Sequence, residues 1–97
     1  MQVFYIKEVT QFVQRLSKQD WARLRRTRKL FEDYGFQIGP KYIKKITTTI
    51  WELRAGNVRL FICMKEGIAF GIHIIFKKRQ KLHSKDIQLA IKRCKAI

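Results

Sequence analysis

The stretch Ile50-Trp51-Glu52-Leu53-Arg54-Ala55-Gly56-Asn57-Val58-Arg59-Leu60-Phe61-Ile62-Cys63-Met64-Lys65, then Glu66-Gly67 and the apolar run Ile68 to Phe76, decides the fold. Apolar runs broken by short Gly-containing turns read as successive strands, and Glu66-Gly67 fits a tight hairpin. Side chains alternate between the two faces of a strand. Val58, Leu60, Ile62 and Met64 therefore share one face, and Arg59, Phe61, Cys63 and Lys65 the other. In the next strand the same rule puts Ile68, Phe70, Ile72, Ile74 and Phe76 on one side. Ala69, Gly71, His73, Ile75 and Lys77 fall on the opposite side. The expectation is one wholly apolar face that packs on helices and one mixed, basic face lined by Arg59 and Lys77. The sheet ends abruptly in Lys77-Lys78-Arg79-Gln80-Lys81.

Helical periodicity flanks these strands. Val9, Phe12, Val13 and Leu16 recur at i, i+3, i+4, i+7, the spacing of one helix face. Ser17 is placed to cap a second helix over 18–34, with Trp21, Leu24, Arg28 and Phe31 on one stripe and Gly35 as the stop. Val3 to Ile6 reads as a short strand or as the lead into the first helix. Residues 36–45 contain Gly39-Pro40 and read as a loop, and Thr47-Thr48-Thr49 favours extended backbone. After the basic run, Ser84 is the expected N-cap of a last helix built on Ile87, Ala90, Ile91 and Cys94. The predicted architecture is a single domain, 1–97, of α+β class: an N-terminal helical hairpin packed on a small antiparallel β-sheet, with a C-terminal helix.

Charge narrows the partner. Twenty-two Lys and Arg stand against seven Asp and Glu, a formal +15, which favours encounter with polyanions. Nucleic acid or a nucleic-acid machine leads, and an acidic protein that neutralises the patch comes second. The longest apolar run, Gly67 to Phe76, is about half the ~20 residues needed to span a bilayer. No helix joins a basic face to a broad apolar one, and no secretory leader is visible, so a cytoplasmic protein without membrane partners is expected. Cys63 and Cys94 read as reduced core thiols. With His73 and His83 they show no CxxC or HxxxH spacing, so neither a metal site nor a cofactor is expected. Arg23 and Arg26 on the second helix, and Lys41, Lys44 and Lys45 ahead of the sheet, are candidates for RNA or ribosome contact through phosphates. A merely solvated helix surface is the competing reading for the helix cations.

Trp51-Glu52-Leu53-Arg54, then Val58-Arg59-Leu60-Phe61, then Lys77-Lys78-Arg79-Gln80-Lys81, then a helix ending Ala90-Ile91-Lys92-Arg93, resembles the HigB-like branch of the RelE/ParE toxin superfamily. The likeness runs from Tyr34 to Lys95. It departs from the family pattern at Val58, at Arg79 and at Leu82-His83. The resemblance implies a RelE-like fold and the toxin of a type II toxin–antitoxin pair. It implies a ribosome-dependent mRNA endonuclease, an mRNA interferase that inhibits translation. It implies a cognate, HigA-like antitoxin with a helix-turn-helix domain, and mRNA and the ribosome as further partners. Two alternatives stay open: a ParE-like inhibitor of DNA gyrase, and a basic RNA-binding module without catalysis.

Metal-free RNA cleavage uses the RNA's own 2′-hydroxyl, which attacks the adjacent phosphorus. The protein must stabilise charge on the phosphoryl oxygens and help move two protons. An Arg fork suits the first task, and a Lys among other cations is pushed towards the second. Arg59 is the expected phosphate clamp and Arg54 a second cation, unless Arg54 is tied to Glu52 or Glu66. Lys77, Lys78 and Lys81 are candidates for phosphate binding and proton transfer, with Arg79 and His83 as further RNA or ribosome contacts. Glu52 reads as the ion-pair partner of an arginine, or as a base. His73 reads as structural. Trp51, Tyr34 and Tyr42 read mostly as packing.

Overall fold

The computed structural model describes residues 1–77 and 82–97. The predicted Lys78, Arg79 and Lys81 lie outside the described residues. The chain runs β1 (Val3–Tyr5), α1 (Lys7–Val13), α2 (Lys18–Tyr34), a 3-10 turn (Gly35–Ile38), β2 (Ile43–Lys45), β3 (Ile50–Ala55), β4 (Val58–Lys65), β5 (Ile68–Phe76) and α3 (Ser84–Lys95).

The fold is mixed α+β, but the expected helical hairpin on a small antiparallel sheet does not form. The sheet has five strands in the order β1-β5-β4-β3-β2. β1 pairs parallel with β5, and the other pairings are antiparallel. Helices precede and follow a central block of strands. α1 rests on β5 and α2 on β3, so each helix answers to the sheet rather than to the other. The cause is the opening strand: once Val3–Tyr5 joins the far edge, beside β5, α1 is tethered there. The span expected as a loop, 36–45, also holds β2, whose Ile43, Lys44 and Lys45 pair with Leu53, Glu52 and Trp51.

Two apolar layers form, one on each face. Val9 of α1 and Leu24 and Phe31 of α2 pack against Leu53, Ala55, Val58, Leu60, Ile62, Ala69 and Ile74. On the other face Ala90 and Cys94 of α3 pack against Ile50, Phe61, Cys63 and Ile72. α2 keeps its expected bounds, with Ser17 Oγ accepting from Asp20 N at 3.1 Å and Gly35 at φ +63°. Its buried positions are Leu24, Thr27 and Phe31. Trp21 and Tyr34, expected to pack, are 44% and 63% exposed.

The alternation expected for β5 breaks midway. Phe61 pairs with His73 but Ile62 pairs with Gly71, so Ile72 is an extra residue, as in a β-bulge. The bulge splits the bulky set. Phe70 and Ile72 join the α3 layer, whereas Ile74 joins the α1/α2 layer and Phe76 meets Phe12 at 5.3 Å between ring centroids. Gly71 sits at the irregularity with Tyr5 over it. A Cβ there would lie 2.7 Å from Tyr5 Cδ1 and 3.2 Å from Leu60 Cδ1.

Two further expectations change. Cys63 and Cys94 form a disulfide between β4 and α3, not a pair of thiols. Both point into the α3 layer, with Cα atoms 5.7 Å apart, within the usual reach of a disulfide. His83, not Ser84, caps α3, its Nδ1 accepting from Lys85 N at 3.2 Å. The edge strand β1 is closed by α2 side chains. Val3 N donates to Glu32 Oε2 at 2.9 Å, and Arg28 Nη2 donates to Val3 O at 2.6 Å. Occupied groups of this kind deny the edge to another strand.

Candidate functional site

β3 and β4 meet at the two-residue turn Gly56-Asn57, where Gly56 has φ +61°, as hairpin turns of this length require. The short turn sets the register, and the register puts Arg54 directly opposite Arg59. Two cations in that relation repel. Glu52, two residues before Arg54 and so on the same face, supplies the counter-charge. Its side chain is 1% exposed. Arg54 Nε donates to Glu52 Oε1 at 2.9 Å, and Arg59 Nε lies 3.9 Å from Glu52 Oε2. At that distance no hydrogen bond forms. Glu52 Oε2 and Arg59 Nε are both buried without a hydrogen-bond partner among the described residues.

The other end of Arg59 is held. Its Nη1 donates to the carbonyl oxygens of Gly56 and Val58. Burial pulls the guanidinium below its ordinary pKa; Glu52 opposes that shift and Arg54 adds to it. An arginine so placed still carries its proton at neutral pH.

Beside this trio opens a cleft of about 400 Å³, lined by Lys44, Lys45, Ile46, Glu52, Arg54, Lys77, Leu82 and Ile87. Lys44 enters because β2 pairs it with Glu52, and Lys77 because its backbone N–H donates to Asn57 O at 2.8 Å. Ile46, Leu82 and Ile87 supply an apolar wall beside the cations of Lys44, Arg54 and Lys77, while Lys45 borders the cleft with its Nζ 5.5 Å over the Trp51 ring. The cleft can hold an anionic group on its cationic side with a planar or apolar group against the wall.

Among the residues expected at the site, Arg54, Lys77, Lys44 and Lys45 come together at the cleft. Arg59 is adjacent but does not line it. Arg23 lies over the β3–β4 turn, its Cδ 3.0 Å from where a Cβ on Gly56 would stand. Arg26 is exposed on α2, behind the opposite face of the sheet. Lys41 stands over the Tyr42 ring at 5.5 Å. His83 serves as the α3 cap. His73 shares the face of Arg59 but is engaged: its Nε2 pairs with Asp86 Oδ1 at 2.9 Å, and Arg93 Nη1 donates to its Nδ1 at 3.2 Å. Because Arg93 has only protons to give, Nδ1 must accept and Nε2 carries the hydrogen. Arg93 also donates to Ile72 O at 3.0 Å. These bonds dock α3 on the bulged strand and fix Leu82 and Ile87 beside the cleft. Reading 36–45 as a loop hid the pairing of Lys44 with Glu52. Ile43-Lys44-Lys45 is too short and too polar to show an alternating pattern.

The fold and the cleft define a small α+β protein with a cleft lined largely by cations. The profile of the family described as Phage derived protein Gp49-like (DUF891) matches residues 11–95, and the chain belongs to that family. The family is associated with toxin–antitoxin pairs and related to the RelE-like toxins, so membership points to a toxin with a cognate antitoxin partner. A comparison with curated proteins finds no match. Among the described residues no helix is long and apolar enough to cross a membrane.

Proposed function

We propose that the protein is a HigB-like toxin that cleaves mRNA on the translating ribosome, neutralised by a helix-turn-helix antitoxin. The observation that supports this reading most is the convergence of Arg54, Lys44 and Lys77, from three separate segments, on one cleft with an apolar wall. The cations hold the scissile phosphate and the wall receives a base. The RNA's 2′-oxygen bonds to phosphorus as the bond to the 5′-oxygen breaks. The 2′-hydroxyl proton passes to a base, and the leaving 5′-oxygen takes a proton. Lys77, with Lys78 and Lys81 nearby in sequence, supplies the groups that exchange these protons. Preorganised cations at the phosphoryl oxygens contribute the largest share of the acceleration.

The experiment is inducible expression followed by mapping of mRNA 5′ ends. Cuts confined to translated reading frames, absent when initiation is blocked, are the expected result. Intact messages in arrested cells refute the nuclease reading, and an accompanying DNA-damage response would assign the toxin to gyrase instead.

A further inference from the structure

Glu52 lies at the centre of the site and does more there than neutralise charge. One carboxylate oxygen is engaged by Arg54 at 2.9 Å. The other faces Arg59 Nε across 3.9 Å, and both of those atoms are buried without a partner among the described residues. A buried donor and a buried acceptor that face each other unpaired mark an arrangement one short movement from closure. The obstacle is visible at the far end of the same side chain, where Nη1 is taken by the carbonyl oxygens of Gly56 and Val58. A phosphate oxygen is itself charged, so its bond from guanidinium joins two ions and is stronger than a bond to a neutral carbonyl. A phosphate in the cleft therefore competes for Nη1.

We propose that Glu52 is a positioning residue that captures Arg59 Nε when Arg59 leaves the β3–β4 turn for a substrate phosphate. The inference rests on the nuclease reading for its substrate. It adds that Arg59, which does not line the cleft in this structure, joins Arg54 there only with Glu52 as its anchor. Arg54 is held in place beforehand; Arg59 is recruited.

The test uses the full chain with 15N-labelled arginine, titrated with a 2′-O-methyl oligoribonucleotide that cannot be cleaved through its 2′ position. The Arg59 Nε–H signal, assigned by its loss in Arg59→Lys, is expected to shift on binding and to become protected from exchange. In Glu52→Gln the amide can still accept from Arg54, but its NH₂ group opposes Arg59 Nε. That variant is expected to bind the oligonucleotide as tightly as the wild type or tighter, because the chain loses one negative charge, while the Arg59 signal stays in place. On translating ribosomes its cleavage rate is expected to fall roughly tenfold or more, and Glu52→Gln/Arg59→Ala is expected to be no slower than Arg59→Ala alone, as residues acting as a unit behave. A purely structural role would lower binding together with cleavage and make the double variant additive. An Arg59 signal unmoved in the wild type, with the oligonucleotide bound or failing to bind, overturns the inference. A shifted signal in a protein that cuts no message leaves it standing and removes the nuclease reading instead.

Discussion

Replacing Arg54 with Ala tests how the site is held together before any chemistry is considered. The substitution takes away the one hydrogen bond that the Glu52 carboxylate receives among the described residues, from Arg54 Nε at 2.9 Å, and leaves a side chain that is 1% exposed. Breaking a buried ion pair by removing one partner costs roughly 3–5 kcal/mol. Two features reduce that figure here: the Arg54 side chain is 27% exposed, and Arg59 Nε remains 3.9 Å from the stranded carboxylate. A loss of about 2–3 kcal/mol follows, equivalent to roughly 10–20 °C in Tm for a domain of this size. Urea unfolding of Arg54→Ala, Glu52→Gln and the double variant measures it. Neutralising the stranded group is expected to return about 1 kcal/mol or more, so the double variant should be less damaged than the sum of the singles. Loss of under about 0.5 kcal/mol in Arg54→Ala, the range of an ordinary surface substitution, or strict additivity, would refute the reasoning. The result also governs how an alanine scan of toxicity is read, because Arg54→Ala can fail in a cell by unfolding as well as by losing a phosphate contact.

Gly71→Ala is expected to cost about 1–3 kcal/mol by overpacking, since the new Cβ meets Tyr5 Cδ1 at 2.7 Å; Tyr5→Leu should relieve much of that in thermal melts, and a neutral Gly71→Ala would discredit the contact. Burial raises the Tyr5 pKa, with Arg28 opposing. The associated stability is complete below the unfolded tyrosine value near ~10 and is lost as pH rises through the folded one. Urea midpoints of wild type should therefore drop more steeply above that pH than those of Tyr5→Phe, and parallel curves would contradict the shift. The Cys63–Cys94 crosslink spans 31 residues, and loop closure of that length is worth about 3–4 kcal/mol. Reductant should lower the stability of the oxidised wild type by roughly that amount and leave Cys94→Ser unaffected; alkylation with mass measurement establishes the starting state.

The two hairpins and both long helices were legible because their signals are local. Gly56-Asn57 and Glu66-Gly67 specify tight turns, Ser17 and Gly35 delimit α2, and apolar periodicity marks α3. What failed were relations between distant segments. Nothing within Val3–Tyr5 announces a parallel partner some sixty-six residues away, at Ala69 to Gly71. Three residues of β2 give too few alternations to outweigh Gly39-Pro40. The bulge at Ile72 leaves no mark in a run that is apolar on both parities, so parity alone makes the strand unbroken. For the site, parity identified the face shared by Arg59 and His73, because β4 is regular through Phe61. It could not say how far each cation reaches. Arg54, closer to the cleft, is presented to it, while Arg59 folds back on the turn.

The position of Glu52 explains why this surface takes the form it does. In a chain with a formal +15, two arginines directly across a strand pair would separate unless something between them were negative. A carboxylate near water would do little, because solvent screens it. Enclosed between β2 and β4, with Phe61 opposite it on β4, Glu52 acts at short range in a medium that screens weakly. Such an ion group is a poor source of net stability, since removing its charges from water costs about as much as their attraction returns. Its value lies in arrangement. It holds Arg54 at the cleft, keeps Arg59 within one movement of it, and is engaged by these two arginines, so that Lys44 and Lys77 have no ion pair among the described residues and can meet an anion.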